Sequence, residues 1–268
     1  MKVASLQMNS QDDKAANIAQ AISLIEQAVR HDRPDLVLLP ETFAYMGGNA
    51  ESRRANAETF PDGEAYRAMQ EQARRHGIWI HAGSMAEAAG EKSYNTTVVF
   101  DRAGNEVARY RKIHLFDVEV PGGMTYRESD TMRGGSEIVT YDCEGVRIGC
   151  SICYDLRFPE LYQKLAAAGA QVMMVPAAFT LQTGKDHWEI LLRARAIETQ
   201  SYVVACGQVF SHDGGRRQCY GHSMVVDPWG AKIAECSDVI GWCAARLDFD
   251  YLARVRAGIP VARHKVLV

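Results

Sequence analysis

Cys153, Lys112 and Glu41 each stand where an apolar run ends. Cys153 follows Val146-Arg147-Ile148-Gly149-Cys150-Ser151-Ile152, Lys112 follows Val107-Ala108-Arg109-Tyr110-Arg111, and Glu41 follows Leu36-Val37-Leu38-Leu39-Pro40. A free thiol is mostly protonated at neutral pH, so it needs a base or a neighbouring cation before it attacks a carbonyl. A carboxylate supplies the base. A lysine favours the thiolate and then holds the oxyanion of a tetrahedral intermediate. Taken singly, each residue has a plain structural alternative: a core cysteine, a solvated basic pair with Arg111, a carboxylate that opens a turn. Together, at strand ends of the kind that form the ligand crevice in α/β folds, they make a candidate site.

The segment that must position Cys153 reads as strand, bend, helix. Val146 and Ile148 suit a buried strand. Pro159 sits where a first helical turn tolerates a missing N–H, Leu161, Leu165 and Ala168 follow at helical spacing, and Gly169 closes the helix. A cysteine at such a junction resembles a nucleophile elbow, lifted above a sheet with backbone N–H groups aimed at an oxyanion. The N–H of Tyr154, just past the nucleophile, is the candidate donor.

The remaining elements follow in order. Residues 2–8 read as a strand, and Ser10 with Asp13 three residues later reads as a capping box. Ile18, Ile22, Ile25 and Val29 then form one apolar helical stripe ending near His31. Residues 35–39 are nearly continuous apolar chain, as in a central strand covered on both faces. Residues 42–60 read as a loop, 63–75 as a helix, and 78–83, 95–101 and 106–110 as strands, with a hairpin turn over 101–105. Residues 111–135 form a long aperiodic loop, a length that compact folds usually reserve for function. Strands near 138–141, 146–151, 171–176, 202–206, 221–226, 231–234 and 241–247 follow, with a helix over 188–200 before the fourth of them. No linker composition or internal repeat interrupts residues 1–268. The pattern predicts a single domain and an α/β layered sandwich of mixed sheets.

Three motifs now resemble a known family. Leu39-Pro40-Glu41, Tyr110-Arg111-Lys112-Ile113-His114-Leu115-Phe116 and Cys153-Tyr154-Asp155-Leu156-Arg157-Phe158-Pro159-Glu160 are similar, in order and spacing, to the signature motifs of the nitrilase superfamily of carbon–nitrogen hydrolases. The resemblance covers nearly the whole chain. It implies a four-layer α-β-β-α sandwich, with Glu41 as general base, Lys112 as oxyanion-stabilising acid and Cys153 as nucleophile. Glu128, in Tyr126-Arg127-Glu128-Ser129, sits where the family places a second glutamate that holds the lysine. The reaction implied is amide hydrolysis in two halves: Cys153 attacks while Glu41 takes its proton, ammonia leaves to give a thioester, and Glu41 activates water to release the acid. The resemblance implies no metal and no organic cofactor, and a homodimer or higher homo-oligomer.

Ala178-Phe179-Thr180, Thr183-Gly184 and His187-Trp188-Glu189 are similar to the amidase branch of that family whose substrates carry carboxylates. Arg157, one turn beyond the nucleophile, is then a candidate to pair with such a carboxylate, its plain alternative being a salt bridge at the helix start. Phe179, Thr180, Thr183 and Tyr154 are candidates to line the same pocket.

Other classes fit less well. Cys150-Ser151-Ile152-Cys153 is a C-x-x-C, but redox motifs of that kind put both cysteines at the helix start, whereas Cys150 still belongs to the strand. Seven cysteines, an odd number scattered through the chain, do not form a disulfide framework. No second C-x-x-C or paired histidine completes a zinc set. A net charge of −3 over 268 residues argues against a nucleic-acid surface. No apolar run approaches the roughly 20 residues that span a bilayer, and the first residues turn polar too soon for a signal peptide. The expectation is a cytoplasmic protein acting on a small-molecule amide, with neither nucleic acid nor membrane as partner.

Overall fold

A computed structural model describes residues 1–119 and 125–266. The first half supplies β1 (Lys2–Gln7), β2 (Leu36–Leu38), β3 (Trp79–His81), β4 (Met85–Ala89), β5 (Lys92–Phe100) and β6 (Glu106–Arg111). It also supplies α1 (Lys14–Asp32), α2 (Ala50–Ala55) and α3 (Glu64–His76). β7 (Asp117–Glu119) and β8 (Thr125–Arg127) form a small ribbon, and β9 (Met132–Arg133) returns beside β5. The second half supplies β10 (Thr140–Cys143), β11 (Val146–Cys150), β12 (Val172–Ala177), β13 (Tyr202–Gly207), the ribbon β14 (Val209–His212) and β15 (Arg217–Tyr220), then β16 (Met224–Val226), β17 (Lys232–Glu235) and β18 (Gly241–Arg246). Its helices are α4 (Pro159–Ala167), α5 (Leu181–Thr183), α6 (Glu189–Thr199), α7 (Phe249–Gly258) and α8 (Val261–His264).

One sheet runs β18-β1-β2-β3-β5-β4, with β6 and β9 on the other side of β5; the second runs β10-β11-β12-β13-β16-β17. β1, β2 and β3 are parallel, as are β11, β12 and β13, so helices must cross over between them. α1 and α3 pack on the first sheet, and α4 and α6 on the second. The sheets face each other through β1 and β13, where Ser5 Oγ donates to the Ala205 carbonyl at 2.6 Å. The order is therefore helix, sheet, sheet, helix. β12 and β13 are buried along their whole length, which is why they read as unbroken apolar runs.

One expectation is corrected at α1. Asp13, not Ser10, caps the helix: its carboxylate accepts the Ala16 N–H at 3.0 Å, while Ser10 Oγ is turned into the interior and donates to the Phe43 carbonyl at 2.8 Å. The loop expected over 42–60 contains α2, and the loop over 111–135 contains the β7–β8 ribbon, with 120–124 outside the described residues. No described helix is long and apolar enough to cross a membrane.

Candidate active site

Cys153 has φ of +47°, a left-handed backbone that a non-glycine residue adopts only when its surroundings enforce it. Asp155 does the enforcing. Its fully buried carboxylate accepts the Ile152 N–H at 2.9 Å and the Tyr110 hydroxyl at 2.7 Å on one oxygen. The other oxygen takes the His114 N–H at 3.0 Å and lies 2.7 Å from His114 Nδ1. The His114 ring stacks on Phe158 with centroids 3.6 Å apart. A buried carboxylate is costly unless its lone pairs are filled, and here they are filled by residues flanking both Cys153 and Lys112. Asp155 thus fastens two of the strand ends to each other.

Glu41 is set by a close approach of backbone. Gly83, at φ +42°, lies against Leu39-Pro40 so tightly that an added Cβ would stand 2.0 Å from the Pro40 carbonyl oxygen. Only glycine fits there. Glu41 is 4% exposed; its carboxylate accepts the Ala178 N–H at 2.8 Å, and its backbone carbonyl accepts Gln208 Nε2 at 3.0 Å.

Lys112, 2% exposed, donates to Glu41 at 3.0 Å and to both oxygens of Glu128 at 2.9 and 3.1 Å. Glu128 also accepts the Phe116 N–H at 2.7 Å. Asn95 Nδ2 donates to Glu41 at 2.8 Å and to Glu128 at 3.3 Å, bridging two like charges. Burial alone would lower the Lys112 pKa, but the charges of Glu128 and Glu41 reverse that and hold it well above its ordinary value as an ammonium. At Cys153 the signs differ. Burial raises the thiol well above its ordinary value, the charge of Glu41 raises it further, and Lys112 only partly opposes them. Two carboxylates sharing one ammonium leave the surroundings negative, so the thiol rests protonated. For such a thiol to attack a carbonyl its proton would have to pass to an acceptor, and Glu41 is the carboxylate whose charge it feels.

Glu41, Lys112, Glu128 and Cys153 line one cavity of about 450 Å³, together with Tyr154, Arg157, Phe179, Thr180 and Thr183. The nine candidates of the sequence thus meet in one place. The Arg157 guanidinium lies 5.1 Å from the Phe179 ring centroid and 3.2 Å from His187 Nδ1, and it makes no carboxylate ion pair among the described residues. The helix-start salt bridge is therefore not what it forms. Thr180 and Thr183 share a hydroxyl contact at 2.7 Å. Cys150 lies wholly buried inside β11, and burial pushes its thiol far up, so the C-x-x-C does not present two exposed sulfurs. Among the cavity residues that the sequence did not single out are Asn95, Arg53, Arg217 and Cys219. Asp155 lies in the Cys153–Glu160 motif, and a charged residue two positions past the candidate nucleophile, before an apolar helix, is the sequence signal for it.

The sequence profile of the carbon-nitrogen hydrolase family matches residues 2–257. The chain belongs to that family. A protein of Synechocystis named deaminated glutathione amidase is 43% identical over 270 residues, covering 99% of this chain and 98% of that one. The crystal structure of the Caenorhabditis elegans NitFhit protein matches with a TM-score of 0.91 at 41% identity over 98% of this chain, which spans 64% of that longer protein. An amidase from Nesterenkonia, 25% identical with a TM-score of 0.81 over 97% of this chain and 98% of its own, has been solved with acrylamide added to its active-site cysteine. The four layers described above are accordingly the nitrilase-superfamily fold.

Proposed function

We propose that this carbon-nitrogen hydrolase cleaves deaminated glutathione, using a thioester on Cys153. The observation that carries the chemistry is the buried cluster in which Glu41 and Glu128 share Lys112 beside a neutral thiol. The substrate rests on the name of the 43% identical relative and on the unpaired Arg157 in the cavity.

The Cys153 sulfur attacks the amide carbon as Glu41 takes its proton. Lys112, kept as an ammonium by Glu128, faces the oxygen that becomes negative, and the Tyr154 N–H is the second donor. Glutathione is a tripeptide whose amide links are secondary, so its deaminated form has no primary amide to lose as ammonia. The ammonia-releasing step expected from the sequence therefore changes: the carbon–nitrogen bond breaks and the proton on Glu41 goes to the peptide amine that departs. Glu41 then takes a proton from water, hydroxide adds to the thioester, and the carbon–sulfur bond breaks to return the thiol and the acid. Arg157, beside Phe179, Thr180 and Thr183, suits the carboxylate at the acyl end.

Incubation with deaminated glutathione, read by mass spectrometry for the released dipeptide, tests the reading. The wild type should release it and Cys153→Ala should lose all measurable turnover. Turnover retained in that variant removes the thioester scheme. A wild type that frees ammonia from α-ketoglutaramate yet leaves deaminated glutathione intact moves the assignment to an amidase of small primary amides.

A further inference from the structure

Three guanidiniums besides Arg157 line the cavity: Arg127 from β8, which pairs with Glu119 at 3.8 Å, and two others, Arg53 from α2 and Arg217 from β15. Both are partly buried. Arg53 donates to the Gly48 carbonyl at 2.7 Å, and Arg217 lies over the Tyr126 ring, 5.8 Å from its centroid. Neither has a carboxylate ion-pair partner among the described residues. The acids nearby are engaged elsewhere or out of reach. Asp213 binds Arg216 at 2.7 Å and the Gly48 N–H at 3.1 Å, Glu128 is taken by Lys112, and Asp130, which lines the same cavity, reaches neither arginine.

Two half-buried cations with no carboxylate ion pair among the described residues disfavour each other. Burial lowers the Arg53 pKa, the positive charge of Arg217 lowers it again, and the charge of Asp213 only partly opposes them. An anion held by both would relieve the repulsion and accept forked hydrogen bonds from planar donors. Nothing in the hydrolytic steps uses these residues, and they stand on different elements from Arg157. The cavity, at about 450 Å³, is within the usual range for small-molecule sites, with room for a ligand larger than a bare acyl group.

We propose that Arg53 and Arg217 form a second anion subsite, which takes the terminal carboxylate of a peptide leaving group. This rests on the deaminated-glutathione reading, with Arg157 serving the acyl-end carboxylate. The leaving group is then recognised by its far charge, and a substrate of the right length is held at both ends.

The test compares kcat/KM for deaminated glutathione and for the same compound with its terminal carboxylate converted to a carboxamide, in the wild type and in R53Q/R217Q. The wild type should prefer the free acid by about 10- to 100-fold, the range for one charge-assisted interaction. The double variant should bring that ratio close to one. A merely structural role would lower both rates together and leave the ratio unchanged, which would overturn the proposal. A wild type with no preference for the free acid would overturn it as well. A wild type that cleaves neither compound would remove the substrate reading and this inference with it, whereas an active, discriminating wild type with an unaltered ratio in the variant removes the inference alone.

Discussion

At the scale of single residues, the site is built from charges that constrain one another. Asn95 shows this best, because one amide nitrogen reaches both Glu41 and Glu128. Without it the two carboxylates would repel across Lys112 alone. Asn95→Ala removes a donor from the proposed base, and a hydrogen bond to a charged group contributes about 1.5–3 kcal/mol. Steady-state kinetics should show kcat lowered about 10- to 100-fold with KM little changed, and circular dichroism should show the fold intact. An unaltered kcat would mean that Asn95 does not position the base. The meeting of Glu41, Lys112 and Cys153 was legible in the sequence because a thiol, a carboxylate and a cation at three strand ends already make chemical sense together. Asn95 and Asp155 were not, since what they do depends on which buried atoms face them. Asp155 receives donors from positions 110, 114 and 152, a pattern that no local spacing encodes.

Among elements, the legible ones carry their own pattern. α1 buries Ile18 and Ile25 of the expected stripe and packs Ile22 and Val29 partly buried against the core, with Ala21, Leu24 and Ala28 completing the buried face. β4 was missed because Met85-Ala86-Glu87-Ala88-Ala89 is poor in the β-branched and aromatic residues that mark strands. It is held by pairing with β5 and by Glu87, which accepts from Arg111 at 2.7 Å and from the Thr96 hydroxyl at 2.8 Å. The β14–β15 ribbon escaped for another reason. Its strands are only four residues each and pair with each other rather than with either sheet, although Asp213-Gly214-Gly215 between them is a turn signal. That ribbon nonetheless brings Arg217 and Cys219 into the cavity. α7 also went unread, and its start is marked by Asp248, whose side chain accepts the Tyr251 N–H at 3.0 Å. Elements that an apolar core dictates were recoverable. Those held by polar pairs with distant segments were not.

At the scale of the whole molecule, the interior between the sheets holds a titratable group that the site does not use. His81 on β3 is fully buried, its Nδ1 lies 3.1 Å from the Tyr141 hydroxyl of β10, and its Nε2 has no partner among the described residues. Burial lowers its pKa from 6.5 to about 3. The folded protein therefore keeps the ring neutral where the unfolded chain would bind a proton. Unfolding takes up that proton between pH 6.5 and 3, so stability falls as pH drops through this window. From pH 6.5 to 4.5 the loss is about 2–3 kcal/mol from this residue alone. Urea unfolding at the two pH values should show it. His81→Phe combined with Tyr141→Phe, which removes both polar partners, should lose less stability over that interval by about the same amount. An identical loss in the variant would place the acid sensitivity elsewhere.

The pair of carboxylates around Lys112 has a consequence for what happens after the bond is cut. On the proposed route the thioester carbon is neutral, and a surplus of negative charge nearby does not destabilise it. On that route water would turn the carbon into a carboxylate, a third anion beside Glu41 and Glu128, with one ammonium between them. At close range, unit charges of like sign cost about 1 kcal/mol even in water and several in a partly buried site. Hydrolysis by this proposed route would create its own repulsion and favour departure of the acid. The reaction should run with little retention of that product, so added acid should inhibit turnover far more weakly than an uncharged amide of the same shape does. Equal inhibition by the two would show that the surplus charge is quenched before release.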